Sequence, residues 1–171
     1  MRSLALSVLL ALLMSGCGYH PASHYAKNVV GESVSTEVVI LMEDPQNSVI
    51  IKDAVDKAVI TKFRTALVPK SRSATHLKIR VGSVAFSPLQ YDTNGYIITY
   101  RTTVMMNITR MQGEQRAEYA TRGIYDFAIE PNAIITDQSR FEAISQGAQK
   151  GLDSFIAQLA AEGAKPQKDH E

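Results

Sequence analysis

One thiol and four imidazoles, Cys17 with His20, His24, His76 and His170, are the side chains best suited to nucleophilic or metal chemistry in this 171-residue chain. Their spacing supports neither. His20 and His24 stand four apart, as two ligands on one helix face would, but Pro21 between them opposes that helix. No HExxH or GxSxG pattern occurs, and no serine has a recognisable base near it in sequence. The acidic pair Glu43-Asp44 precedes Pro45 and reads as a solvated turn, not as one of two carboxylates facing each other across a cleft. The expectation is therefore a protein with no catalytic residue, no metal site and no cofactor.

Cys17 has a different use. Residues 4–13 form an apolar run interrupted only by Ser7, behind the short basic start Met1-Arg2. Ten residues are too few to span a bilayer as a helix but suit the hydrophobic region of an export signal. Small residues Ser15 and Gly16 then lead to the cysteine, which has no partner for a disulfide. Met14-Ser15-Gly16-Cys17 resembles a bacterial lipobox, in which the cysteine becomes the first mature residue and carries acyl chains. Several such chains hold a membrane where one would bind marginally. Residues 1–16 are thus predicted as a signal peptide. Gly18 stands where an aspartate would signal retention at the inner membrane, which points to the outer membrane and its periplasmic side. A periplasmic setting without ATP disfavours kinase and nucleotide-switch functions.

Arg2 is the one charged residue in that signal, so the 18 cations of the whole chain fall to 17, against 17 acidic residues. A neutral balance disfavours nucleic acid as a partner, because phosphate neutralisation needs an excess of cations. Residues 17–35 mix Gly, Pro, Ser and Asn without sustained periodicity and are predicted as a lipidated tether. Residues 36–162 are read as one domain, and 163–171 as a flexible polar tail.

Within the domain, TEVVILM at 36–42 predicts a buried strand. Residues 48–66 predict a helix, with Ile51, Val55, Val59 and Phe63 on one face. Residues 73–86 alternate, with Leu77, Ile79 and Val81 facing one way and His76, Lys78 and Arg80 the other. The apolar phase then shifts to Val84 and Phe86, and a β-bulge at Gly82-Ser83 would keep one face apolar throughout. A loop over 88–95 joins this strand to a long one at 96–111. A tight turn leads to its hairpin partner at 114–127, with Tyr119, Thr121, Gly123, Tyr125 and Phe127 on one side. Ser139-Arg140-Phe141-Glu142 reads as a capping box. It opens a helix whose stripe is Phe141, Ile144, Ala148, Leu152, Phe155 and Leu159, with Gly147 and Gly151 placed to admit a close approach to the sheet. The order β-α-β-β-β-α gives an α/β (α+β) two-layer sandwich with both helices on one sheet face. The other face would carry Lys78, Arg80, Arg101, Thr103 and Asn107. Tyr91, Tyr96, Tyr100, Tyr119 and Tyr125 gather around the hairpin, where they serve sheet packing or a half-wet interface. The exposed turn-rich loop containing Tyr91 and Asn94 is a candidate contact element.

Cys17-Gly18-Tyr19-His20 after the signal, TEVVILMED, SVIIKDAVDKAVITKF, THLKIRVGSVAFSP, NGYIITYRTTVMMNITRM and SRFEAISQGAQKGLDSFIAQL together resemble the LptE family, lipoproteins of the outer-membrane lipopolysaccharide translocon. The resemblance extends over most of residues 17–160 and rests on the order and spacing of elements. It implies a four-stranded mixed sheet with two helices packed on it, and acylation at Cys17. It also implies a 1:1 complex in which the domain plugs a large LptD-like β-barrel, and contact with lipopolysaccharide. Candidate barrel or lipopolysaccharide contacts are then Tyr91, Asn94, Tyr96 and Tyr100. Tyr91-Asp92-Thr93 lacks the basic residue some members place in this loop, so charge alone selects Lys78, Arg80 and Arg101 for phosphate contact. The alternative is another outer-membrane lipoprotein, acting as an envelope or peptidoglycan binding module.

Overall fold

The computed structural model of the protein describes residues 22–39, 45–63, 65–131 and 133–164. Cys17, the signal segment, His20, Glu43-Asp44 and most of the expected tail lie outside them. The first described element is a helix, α1 (Ala22–Val30), followed by strand β1 (Ser33–Val39). The second half of the expected tether therefore belongs to the folded body. Ala26, Val30 and Val34 are fully buried in the core. A nine-residue helix has little stability of its own and is held by packing, here largely against the last helix. Its stop is local: Gly31 takes φ +82° and its N–H donates to Lys27 O at 2.8 Å, the left-handed glycine cap of a helix C-terminus.

Helix α2 (Pro45–Ala58) runs into a π-helical turn, Val59–Phe63, and a two-residue strand, β2 (Ala66–Leu67), so the predicted helix ends earlier than expected. Three long strands follow: β3 (Thr75–Tyr91), β4 (Ile97–Gln112) and β5 (Gln115–Ala128). The sheet order is β2-β1-β3-β4-β5; β1 is parallel to both its neighbours, and β3, β4 and β5 are antiparallel. The sheet is thus mixed, with the four predicted strands plus the short β2 at one edge. The expected bulge is present. Val81 pairs with Met106 and Ser83 with Met105, leaving Gly82 as the extra residue. Leu77, Ile79, Val81, Val84 and Phe86 consequently share one face.

Helix α3 (Asp137–Gly163) closes the domain. Its cap is Thr136, whose hydroxyl accepts from Ser139 N at 3.1 Å, and not the predicted box beginning at Ser139. Threonine at the position just before Asp137 does the same capping work as serine would. Phe141, counted in the predicted stripe, is exposed; Ile144, Ala148, Leu152, Phe155 and Leu159 are buried. Phe155 is the centre of this core, with ring centroids 6.0 Å from Phe63 and 5.1 Å from Tyr119. The two main helices occupy one face of the sheet, as burial of one stripe each requires. No helix among the described residues is long and apolar enough to cross a membrane.

Candidate interaction surface on the open sheet face

Alternation in β3, β4 and β5 sends every second side chain away from the helices, and among the described residues no layer covers them. Near the hairpin end this face dips into a groove of about 550 Å³ whose polar lining includes Glu37, Lys70, Lys78, Arg80, Arg116 and Glu118, with Met111 and Ala120 among its apolar lining. Lys78 Nζ lies 3.3 Å from Glu37 Oε1, and Arg116 Nη2 donates to Glu118 Oε1 at 2.7 Å. Arg80 and Lys70 have no ion pair among the described residues. Burial pushes the Glu37 carboxyl up, but the hydrogen bonds and charges of Lys78 and His76 outweigh it and hold the group below the usual carboxylate range.

His76 sits at the rim of this cluster, buried between Ser35 Oγ, 2.8 Å from Nδ1, and Glu37 Oε2, 3.3 Å from Nε2. Serine, histidine and carboxylate are therefore in contact. The geometry does not make them a nucleophilic centre. Ser35 is 4% exposed and its hydroxyl is shared with Ser73 Oγ at 2.8 Å. The three groups strap β1 to β3. No group of three metal-ligating side chains occurs among the described residues.

The sequence-predicted site residues separate into three places. Lys78 and Arg80 line the groove. Arg101 lies farther along the same face, where β4 and β5 place it opposite Asp126, and it makes a two-pronged bond to that carboxylate at 2.8 and 2.7 Å. The hydrogen bond from Arg101 holds the Asp126 carboxyl below its ordinary range, so Arg101 is already engaged within the chain. Tyr91, Asn94, Tyr96 and Tyr100 belong to the far tip. There Asp92 Oδ1 accepts from the backbone N–H of Asn94 at 2.9 Å and of Tyr96 at 2.8 Å, and Gly95 takes φ +84°. Tyr91 and Tyr96 are exposed and border, with Tyr100 and Ile134, a shallow depression of about 330 Å³. Tyr100 points to the helix side, stacked on Phe127 at 6.1 Å, so it does not share a surface with the cations.

Sequence reasoning passed over one buried cluster. Arg110 is 6% exposed at a core-facing position of β4, in step with Val104, Met106 and Ile108. Its Nη2 donates to Glu162 Oε1 at 2.6 Å, its Nε to Tyr119 Oη at 3.2 Å, and its Nη1 to Val29 O at 3.2 Å. Tyr119 Oη in turn donates to Glu162 Oε2 at 2.5 Å. Burial raises the Tyr119 hydroxyl above its usual range, and the bond to Glu162 adds to this against the opposing charge of Arg110. The signal was present: a charge in the apolar register of a strand must be paired.

No protein-family model and no curated protein sequence matches the chain. Among solved structures, it is similar to rare lipoprotein B from Shewanella oneidensis, at 12% identity over 76% of this chain and 98% of that one, with a TM-score of 0.46. It is similar also to lipoprotein B from Nitrosomonas europaea, at 13% identity, 82% and 89% coverage and a TM-score of 0.49. A minor lipoprotein from Acinetobacter baumannii gives 10% identity, 81% and 99% coverage and a TM-score of 0.46.

Proposed function

We propose that this chain is a non-catalytic lipoprotein, anchored through acyl chains on Cys17 at the periplasmic side of the outer membrane. Its folded body plugs a large LptD-like β-barrel in a 1:1 complex and takes part in lipopolysaccharide insertion. The observation that carries the reading is the uncovered sheet face. It is polar, it mixes both signs of charge in one groove, and it has the character needed against a barrel lumen, whose inward side chains are polar. A face meant to pack apolar protein would not hold Arg80 and Lys70 without ion pairs. The groove cations and the aromatic tip supply the two chemistries that a phosphorylated glycolipid presents, anionic groups and acyl or sugar faces.

Isolation of the native complex from outer membranes tests the reading. A detergent-stable assembly containing one large barrel is expected, and Cys17→Ser leaves the domain folded while releasing it from membranes that lack the barrel. Recovery with peptidoglycan and no barrel would replace the plug with an envelope-binding module. Retention of the serine variant in barrel-free membranes would remove the lipid anchor.

A further inference from the structure

The two edges of the sheet differ. On one side β2 is two residues long and offers almost nothing to pair with. On the other, β5 runs 14 residues in unbroken register with β4, with no bulge, no proline and no lysine. Long, regular edges of this kind are templates for further strand pairing unless something blunts them.

The direction of the free backbone groups follows from one bond. Ile129 N donates to Ile98 O at 3.0 Å, so odd-numbered residues here form the hydrogen-bonded pairs with β4. Even-numbered residues of β5 then turn their N–H and C=O groups outward. Gln158 bears this out: from α3 its Nε2 reaches over the edge and donates to Ala120 O at 3.1 Å. Beyond that clasp the stretch of Arg122, Ile124 and Asp126 is open among the described residues, and the same residues present their side chains on the uncovered face. Ile124 is 37% exposed, and Arg122 has no ion pair in its own chain among the described residues.

We propose that β5 pairs antiparallel with β5 of a second copy of this chain, about a two-fold axis through Ile124. This register sets Ile124 against its own copy and Arg122, twice by symmetry, beside Asp126 of the second copy, a carboxylate that already holds Arg101 of its own chain at 2.8 and 2.7 Å and would take Arg122 as a second cation. The competing registers are worse. An axis through Arg122 opposes that arginine to itself and sets Glu118 against Asp126. An axis through Ala120 needs the carbonyl that Gln158 occupies. Among axes through an outward-facing residue, charge favours the one through Ile124. The pairing goes beyond the plug reading and belongs to the chain free of any barrel.

The test uses the purified full-length chain in detergent, without a barrel. Directly opposed residues of a hydrogen-bonded antiparallel pair have Cα atoms about 5.5 Å apart, within the reach of a disulfide. Ile124→Cys is expected to give a disulfide-linked dimer on mild oxidation at least about tenfold faster than Met105→Cys, which lies on the same open face one strand inward. The unsubstituted chain, with Cys17 alone, sets the baseline. Arg122→Asp is expected to weaken the dimer about tenfold in sedimentation, by turning two attractions into two repulsions. Equal cross-linking of the two cysteine variants, or a monomer at all concentrations up to about 0.1 mM, would overturn the pairing. Neither result bears on whether a barrel is bound, which co-isolation from membranes reads separately.

Discussion

Arg110 shows what one charged residue does when a strand's apolar register delivers it to the interior. Alone, a guanidinium there would cost several kcal/mol in lost hydration. Glu162, Tyr119 and the Val29 carbonyl meet its donors, and in doing so they tie together α1, the β4–β5 hairpin and the end of α3. Glu162 is 39% exposed, so solvent shares in the compensation. Arg110→Met should accordingly lower stability by about 2 kcal/mol, less than a fully enclosed pair would lose, and Tyr119→Phe by about 1 kcal/mol, both read from urea unfolding. The pH dependence has a definite sign. Folding holds the Tyr119 proton more tightly than the unfolded chain does, so this contribution is complete below pH 10.0 and declines as pH rises through the higher folded value. Tyr119→Phe should remove that alkaline decline while leaving the neutral-to-acid profile parallel to wild type. At this scale the sequence was half readable. The alternation of β4 marks Arg110 as inward, yet its partners lie 9 and 52 positions away and only the fold reveals them.

Elements were more legible where a local rule governs them. The phase change between Val81 and Val84 can be satisfied in one way, and the bulge at Gly82 is found there. Gly147 and Gly151 were placed as close-approach residues, and the sheet partner that completes the set is Gly123. A Cβ on Gly123 would stand 1.8 Å from Gly147 O and 2.5 Å from Gly151 N, both helix backbone that cannot turn aside. Backbone meets backbone where α3 crosses β5. Gly123→Ala must push the helix off the sheet and is expected to cost more than about 3 kcal/mol, or to prevent folding, as measured by thermal unfolding. Gly95→Ala meets nothing within 4 Å and bears only the strain of its positive φ, about 1 kcal/mol, which makes it the comparison. What escaped sequence reasoning was α1. Nine residues give too short a record for helical period to stand out, and the helix exists because α3 offers Ala26 and Val30 a surface. Lys27 in its last turn and Gly31 after it were the available stop signals.

At the scale of the molecule, the two faces of the sheet have different physical tasks. The helix side holds the core, so changes there register as stability. The open side holds charges whose removal costs the fold little, because exposed ion pairs contribute about 1 kcal/mol or less. Lys78 is 42% exposed beside Glu37, itself 45% exposed, and Arg80 has no ion pair among the described residues. Lys78→Glu combined with Arg80→Glu should therefore leave the unfolding midpoint close to wild type. If the groove meets the barrel partner proposed above, the same variant should sharply reduce recovery of the chain with that barrel, and the loss should shrink at high salt as screening weakens the introduced repulsion. A variant that is stable and still fully recovered would move the contact surface to the tyrosine-bearing tip. That tip is separated from the groove along the strands, and its Tyr100 faces the other side of the sheet.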